Sequence, residues 1–198
     1  VIGKCPKDKI ITGSYNETLS TVFSKGVRNK IQETSADGRI VYNDIFPHVK
    51  VKRGDGAANL WGIEGNDTNT YLATSPTGTA TGFGADLMLI DDIIKNEYEA
   101  RNDNVKEQHW KWFTDTMLSR REGKRKVTVV MTRWASDDLA GRLIEALNRQ
   151  GKKYRLICYK AFDGRSMLCE DILSRAQYED ILQGDTGKDI VEANYNQS

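Results

Sequence analysis

Two spacings of apolar residues alternate along the chain. Short runs of four to six residues read as strands, and longer stretches with apolar residues every three or four positions read as amphipathic helices. Lys9 to Thr12 predicts a short buried strand. Ser14-x-x-Glu17 has the form of a capping box, and Leu19, Val22, Phe23, Val27 and Ile31 follow as one helical stripe to about residue 32. Residues 35–58 are polar and glycine-rich and read as loop. Leu60 to Glu64 and Thr70 to Thr74, separated by Gly65-Asn66-Asp67, predict a hairpin. A Gly/Thr loop from Ser75 to Ala85 leads into Asp86 to Asp91. Its four consecutive apolar residues, Leu87-Met88-Leu89-Ile90, suit a strand covered on both faces. A helix is expected from about Asn96 to Ser119, with Val105, His109, Trp112, Phe113 and Met117 on one side. Then come a strand at Val127 to Thr132, a helix at Asp137 to Arg149, a strand at Tyr154 to Tyr159, and a helix opened by Ser174-x-x-Gln177 and running to about Leu182. Alternating strands and helices imply an α/β fold, a mostly parallel sheet sandwiched by helices with an added β-hairpin, in one domain spanning 1–198.

Composition narrows the function. With 198 residues and 38% hydrophobic content the chain can bury a full core, which excludes a disordered chain or a disulfide-stapled miniprotein. No apolar run reaches the length of a membrane span, and no signal-peptide core follows Val1 to Cys5, so no membrane association is expected. Lys+Arg is 29 and Asp+Glu is 28, a balance that argues against a protein that coats nucleic acid and leaves room for a local basic loop. Three scattered cysteines (Cys5, Cys158, Cys169) and two histidines (His48, His109) argue against a structural zinc site and fit a reducing cytosol.

Ligands of layered α/β sheets sit beyond the carboxyl ends of the strands, here Gly13-Ser14, Asp91-Asp92, Thr132-Arg133 and Ala161 onward. Asp91-Asp92 is the sharpest feature. Four apolar residues delivering two acids to a strand end is the Walker B pattern of nucleoside triphosphatases. The first carboxylate holds Mg²⁺ beside the phosphates of ATP, and the second orients the attacking water. The same short pattern also serves an acidic strand end or a helix cap. Thr132, ending the neighbouring strand, is placed to sense a γ-phosphate, or is there for its β-propensity. Arg133 can contact phosphate or pack its stem on Trp134. The Gly/Thr loop is not a P-loop, because it has no lysine and precedes a strand. None of the four Gly-Lys pairs is followed by Ser or Thr, so the chain carries no Walker A motif. Arg120 to Lys126, with five positive charges, is a DNA contact, an arginine finger, or a solvated basic turn. Asp137-Asp138 complements the amino end of its helix.

The stretch 81–92 (TGFGADLMLIDD), then Trp110-Lys111-Trp112-Phe113, then Met131-Thr132-Arg133-Trp134 with Asp137-Asp138-Leu139-Ala140-Gly141, resembles the large terminase subunit of tailed bacteriophages. Gly13-Ser14-Tyr15-Asn16, Val27-Arg28 and the closing Ala193-Asn194-Tyr195-Asn196-Gln197 extend the similarity over nearly the whole chain. The resemblance implies a P-loop ATPase fold of the additional-strand, RecA-like type, without its P-loop strand. It implies a motor, in the bacterial host's cytoplasm at the procapsid portal, that hydrolyses ATP to drive double-stranded DNA into the capsid. The implied partners are further copies in a ring, the portal protein and the small terminase subunit. Carried over by position, Asp91 is the Mg²⁺-associated acid, Asp92 the catalytic carboxylate and Thr132 part of the coupling motif. Ile93 replaces a frequent proline, and Ala135 a frequent histidine. The resemblance implies a P-loop upstream of residue 1, its strand lying in the sheet between those placed at 127–132 and 154–159, and a nuclease domain after residue 198.

Two other readings compete. One is a metal-dependent nuclease built on Asp86, Asp91 and Asp92, although such sites need acids converging from several strands. The other is a non-catalytic scaffold or oligomerisation module that keeps the shape of an ATPase.

Overall fold

The computed structural model describes residues 1–54, 57–80, 82–122, 126–184 and 191–196, and divides the chain into two compact units. The first comprises Val1–Ile93 with Lys111–Val130, and the second Ile94–Trp110 with Met131–Ser198.

The first unit is a five-stranded sheet. Strand β1 (Ile10–Gly13) is central and pairs in parallel with β3 (Tyr71–Thr74) and β4 (Leu87–Asp91). Strand β5 (Val127–Val130) extends the sheet in parallel beyond β4. The short β2 (Leu60–Trp61) closes the other edge antiparallel to β3, as the predicted hairpin requires. The register puts Thr74, Gly13, Ile90 and Val129 in one row, with Asp91 and Val130 a step beyond. The parallel strands therefore present their carboxyl ends along one rim.

Each face is covered differently. Ile10, Tyr71 and Ala73 share a core with Ile31, Val49, Trp61 and Ile63 beneath helix α1 (Glu17–Gln32), and Leu87 packs against its border. On the opposite face a π-helical turn, Trp112–Met117, places the Trp112 ring directly over Gly13. A β-carbon at Gly13 would come within 2.5 Å of that ring, so only glycine fits.

Several local expectations need correction. Helix α1 is capped by Asn16, whose side chain accepts from the Leu19 N–H at 2.8 Å, and not by Ser14. Its buried face carries Ser20, Ser24 and Ile31, while Val22, Phe23 and Val27 face solvent. The Trp61 indole, stacked on Tyr71, donates to the Ser24 hydroxyl at 2.9 Å; small serines let the helix lie close to the sheet, and the apolar stripe is turned outward. A four-residue helix, α2 (Tyr42–Ile45), lies in the stretch read as loop. The run Leu87–Ile90 is covered on one side: Met88 and Ile90 are buried, Leu89 is 36% exposed, and Val130 of the neighbouring strand is 56% exposed.

The second unit is helical. The single helix expected at 96–119 is several pieces: α3 (Glu97–Ala100), α4 (Asp103–Lys111), then the π turn and a 3₁₀ turn, Leu118–Arg120, of the first unit. Asn102 causes the first break, because its side chain accepts from Asn104 and Val105 N–H and so restarts the helix. Helix α5 (Leu139–Arg149) follows, then α6 (Arg175–Gln183), which Ser174 and Gln177 open with the predicted capping box. The strand predicted at Tyr154 to Tyr159 does not form. Residues 151–160 are exposed throughout, since an apolar run becomes a strand only against a partner edge, and none pairs with it among the described residues.

Candidate functional site

Asp91 is the last residue of β4 and pairs with Val130 of β5. Side chains alternate along a strand, so Asp91 shares a face with Leu89, and through the register with Thr128 and Val130. That face is the one left open over β4 and β5. Burial raises the Asp91 carboxyl above the ordinary aspartate range, and desolvation is the whole cause. One half-buried carboxylate is compatible with a divalent cation only where phosphate or water oxygens complete the shell, the manner in which Mg²⁺ characteristically binds.

Asp92 adopts φ +44°, the only non-glycine residue with positive φ among the described residues. Aspartate tolerates this left-handed conformation better than most residues, at a cost on the order of 1 kcal/mol. Its N–H still bonds to the Val130 carbonyl at 2.9 Å. The chain therefore stays in register to the end of the strand and then turns sharply, carrying Ile93 and Ile94 into the interior. This turn frees the second acid from the strict alternation that would send it to the opposite face.

Asp86 lies at the other end of β4, where its carboxylate accepts the Lys9 N–H at 2.9 Å. Five residues of strand separate it from Asp91 by about 16 Å. Asp86, Asp91 and Asp92 thus do not converge, and among the described residues no group of three His, Cys, Asp or Glu side chains is arranged to hold a metal.

Strand β5 ends at Val130, so Thr132 belongs to the loop that opens the second unit. Its carbonyl accepts the Trp134 N–H at 3.1 Å. Arg133 neither packs simply on the indole nor points its Nε outward. Its Nε donates to the Asp138 carboxylate at 3.0 Å. Asp138 is fully buried and caps α5 through the Gly141 N–H at 2.8 Å, whereas Asp137 pairs with Lys106 of α4. The Arg133–Asp138 pair was not readable from composition or spacing; its only sequence sign is an arginine five residues before a helix cap. The Gly/Thr loop is a self-satisfied turn, with Thr74 donating to the Thr79 carbonyl and Ser75 bonding to Thr77. Thr81 and residues 123–125 of the basic turn lie outside the described residues. Within that turn Arg121 bridges to Ala85, and Glu122 pairs with Lys9.

The chain is similar in structure to the large terminase of bacteriophage HK97, known from a crystal structure, with a TM-score of 0.56 and 13% sequence identity. The match covers 96% of this chain and 40% of that one. The fold is terminase-like. No family model and no curated protein matches the sequence. No helix among the described residues is long and apolar enough to cross a membrane.

Proposed function

We propose that the chain is the ATPase core of a large terminase subunit, a motor that couples Mg-ATP hydrolysis to movement of double-stranded DNA into a viral procapsid. The observation that carries this reading is the pair Asp91-Asp92 on the carboxyl rim of a parallel sheet in a terminase-like fold, with Asp92 turned out of strand geometry by its positive φ. Asp91 would hold Mg²⁺ beside the phosphates of ATP, where the ion would supply charge neutralisation for the transferring phosphoryl group. Asp92 orients the attacking water and accepts its proton. Thr132 responds to the presence of the γ-phosphate.

The P-loop, in this reading, comes from a segment upstream of Val1. Two features of the first unit favour that arrangement. The outer edge of β5 has no partner strand among the described residues, and the face that carries Asp91 is uncovered beside it. A strand on that edge, followed by a helix over that face, would bury Leu89 and Val130 and bring a phosphate-binding loop to the rim. Further copies in a ring, the portal protein and the small terminase subunit are the proposed partners.

The test is phosphate release from Mg-ATP by the full-length polypeptide and by residues 1–198 alone. Turnover by the full-length polypeptide and none by the 198-residue chain is expected. Equal turnover by both would contradict the upstream P-loop, and its absence from the full-length polypeptide would contradict the ATPase reading.

A further inference from the structure

The loop between β5 and α5 is fastened more firmly than a helix cap requires. Asp138 is completely buried, and a buried carboxylate persists only when its oxygens are paired. One oxygen accepts the Gly141 N–H at 2.8 Å, and the other accepts the Arg133 Nε–H at 3.0 Å. The Asp138 N–H closes the loop onto the Ala135 carbonyl at 3.2 Å. At Gly141 a β-carbon would overlap the Ser136 carbonyl oxygen and stand 3.1 Å from the Arg133 guanidinium, so the helix start is shaped around this pair. Lys106 and Glu107 of α4 then grip the same turn, through Asp137 at 2.6 Å and Arg142 at 2.7 Å.

Capping needs only the Asp138–Gly141 hydrogen bond, and asparagine performs it as well as aspartate. The Arg133–Asp138 pair is additional, and it acts on the residue next to Thr132. We infer that Arg133 and Asp138 are positioning residues that hold Thr132 in its hydrolysis-competent place. The inference rests on the ATPase reading and deepens it.

The substitutions separate cap from strut. Arg133→Lys keeps the charge but loses the planar donor, and Asp138→Asn keeps the cap but loses the ion pair. In the full-length polypeptide, each should lower kcat for ATP about tenfold to a hundredfold, the loss expected when a group near the chemistry is misplaced by about 1 Å, with KM changed less than about threefold. In the Thr132→Ala background the same substitutions should add little, since residues acting through one another are non-additive. Melting temperature, measured alongside, confirms that Arg133→Lys is folded.

The outcomes divide cleanly. Full additivity with Thr132→Ala, or an unchanged kcat in both variants, overturns the inference while leaving the ATPase reading intact. Turnover that is absent from the wild-type polypeptide, or indifferent to Asp92→Asn, overturns the ATPase reading and this inference with it.

Discussion

Asp91 and Asp92 are adjacent yet held by different physics. Asp91 keeps strand geometry and suffers desolvation, while Asp92 carries backbone strain. The first has a consequence for stability. A carboxyl whose pKa is raised on folding binds protons more readily in the native state, so stability falls as pH rises from the ordinary aspartate range through the raised value, and stays lowered above it. Asp91→Asn should therefore raise the melting temperature at pH 7 and give no gain below about pH 3. Thermal melts of both proteins at the two pH values check this, and a destabilised Asp91→Asn at pH 7 would contradict it. The acid pair was legible in the sequence because four apolar residues ahead of two acids is a strand-end pattern. The Arg133–Asp138 pair was not, because it depends on how a loop folds back, and neither residue type nor spacing encodes that.

Among the elements, periodicity found α1, α5 and α6 but not α2, the breaks after Asn96, or the buried face of every helix. In α1 the hydrogen bond between Trp61 and Ser24, with close packing, outweighed the apolar stripe. In the stretch after Asn96, a single asparagine side chain was enough to interrupt the helix. The α4–α5 brace is likewise invisible to pattern, since Lys106 is a charged residue only 7% exposed. Its pairing holds Asp137 below, and Lys106 above, the ordinary range of each. The sign follows from linkage. The Asp137 contribution is fully present above the ordinary aspartate range and is lost as pH falls through its depressed pKa, whereas the Lys106 contribution is present below the ordinary lysine range and lost as pH rises through its raised pKa. Lys106→Met should flatten the loss of stability below about pH 4, as read from urea midpoints across pH. An acid limb identical to wild type would show that the brace contributes nothing. Asp137 is half exposed, so the change is expected to be modest.

For the whole molecule, the mostly parallel sheet, the hairpin and the strand end that carries the acids were readable from the alternation of strands and helices, but the strand order was not. The segment 154–159 was misread for a physical reason: its short apolar run suits a strand, but strand formation needs a neighbour, and the described residues supply none. Among the described residues no strand pairs with the outer edge of β5, and Val130 is largely exposed beside it. Such an edge is a template for pairing with another chain. The 198-residue chain should therefore self-associate in sedimentation velocity as its concentration rises, and Val130→Lys should shift it toward monomer. An equally associated Val130→Lys would place the contact elsewhere.

The most direct measurement of the central claim is the ATP turnover of the full-length polypeptide carrying Asp92→Asn, with nucleotide binding followed in parallel. Loss of the residue that orients water should reduce kcat about 10²- to 10⁴-fold while ATP and Mg²⁺ still bind. Undiminished turnover in Asp92→Asn would contradict the assignment of hydrolysis to the acids that close β4.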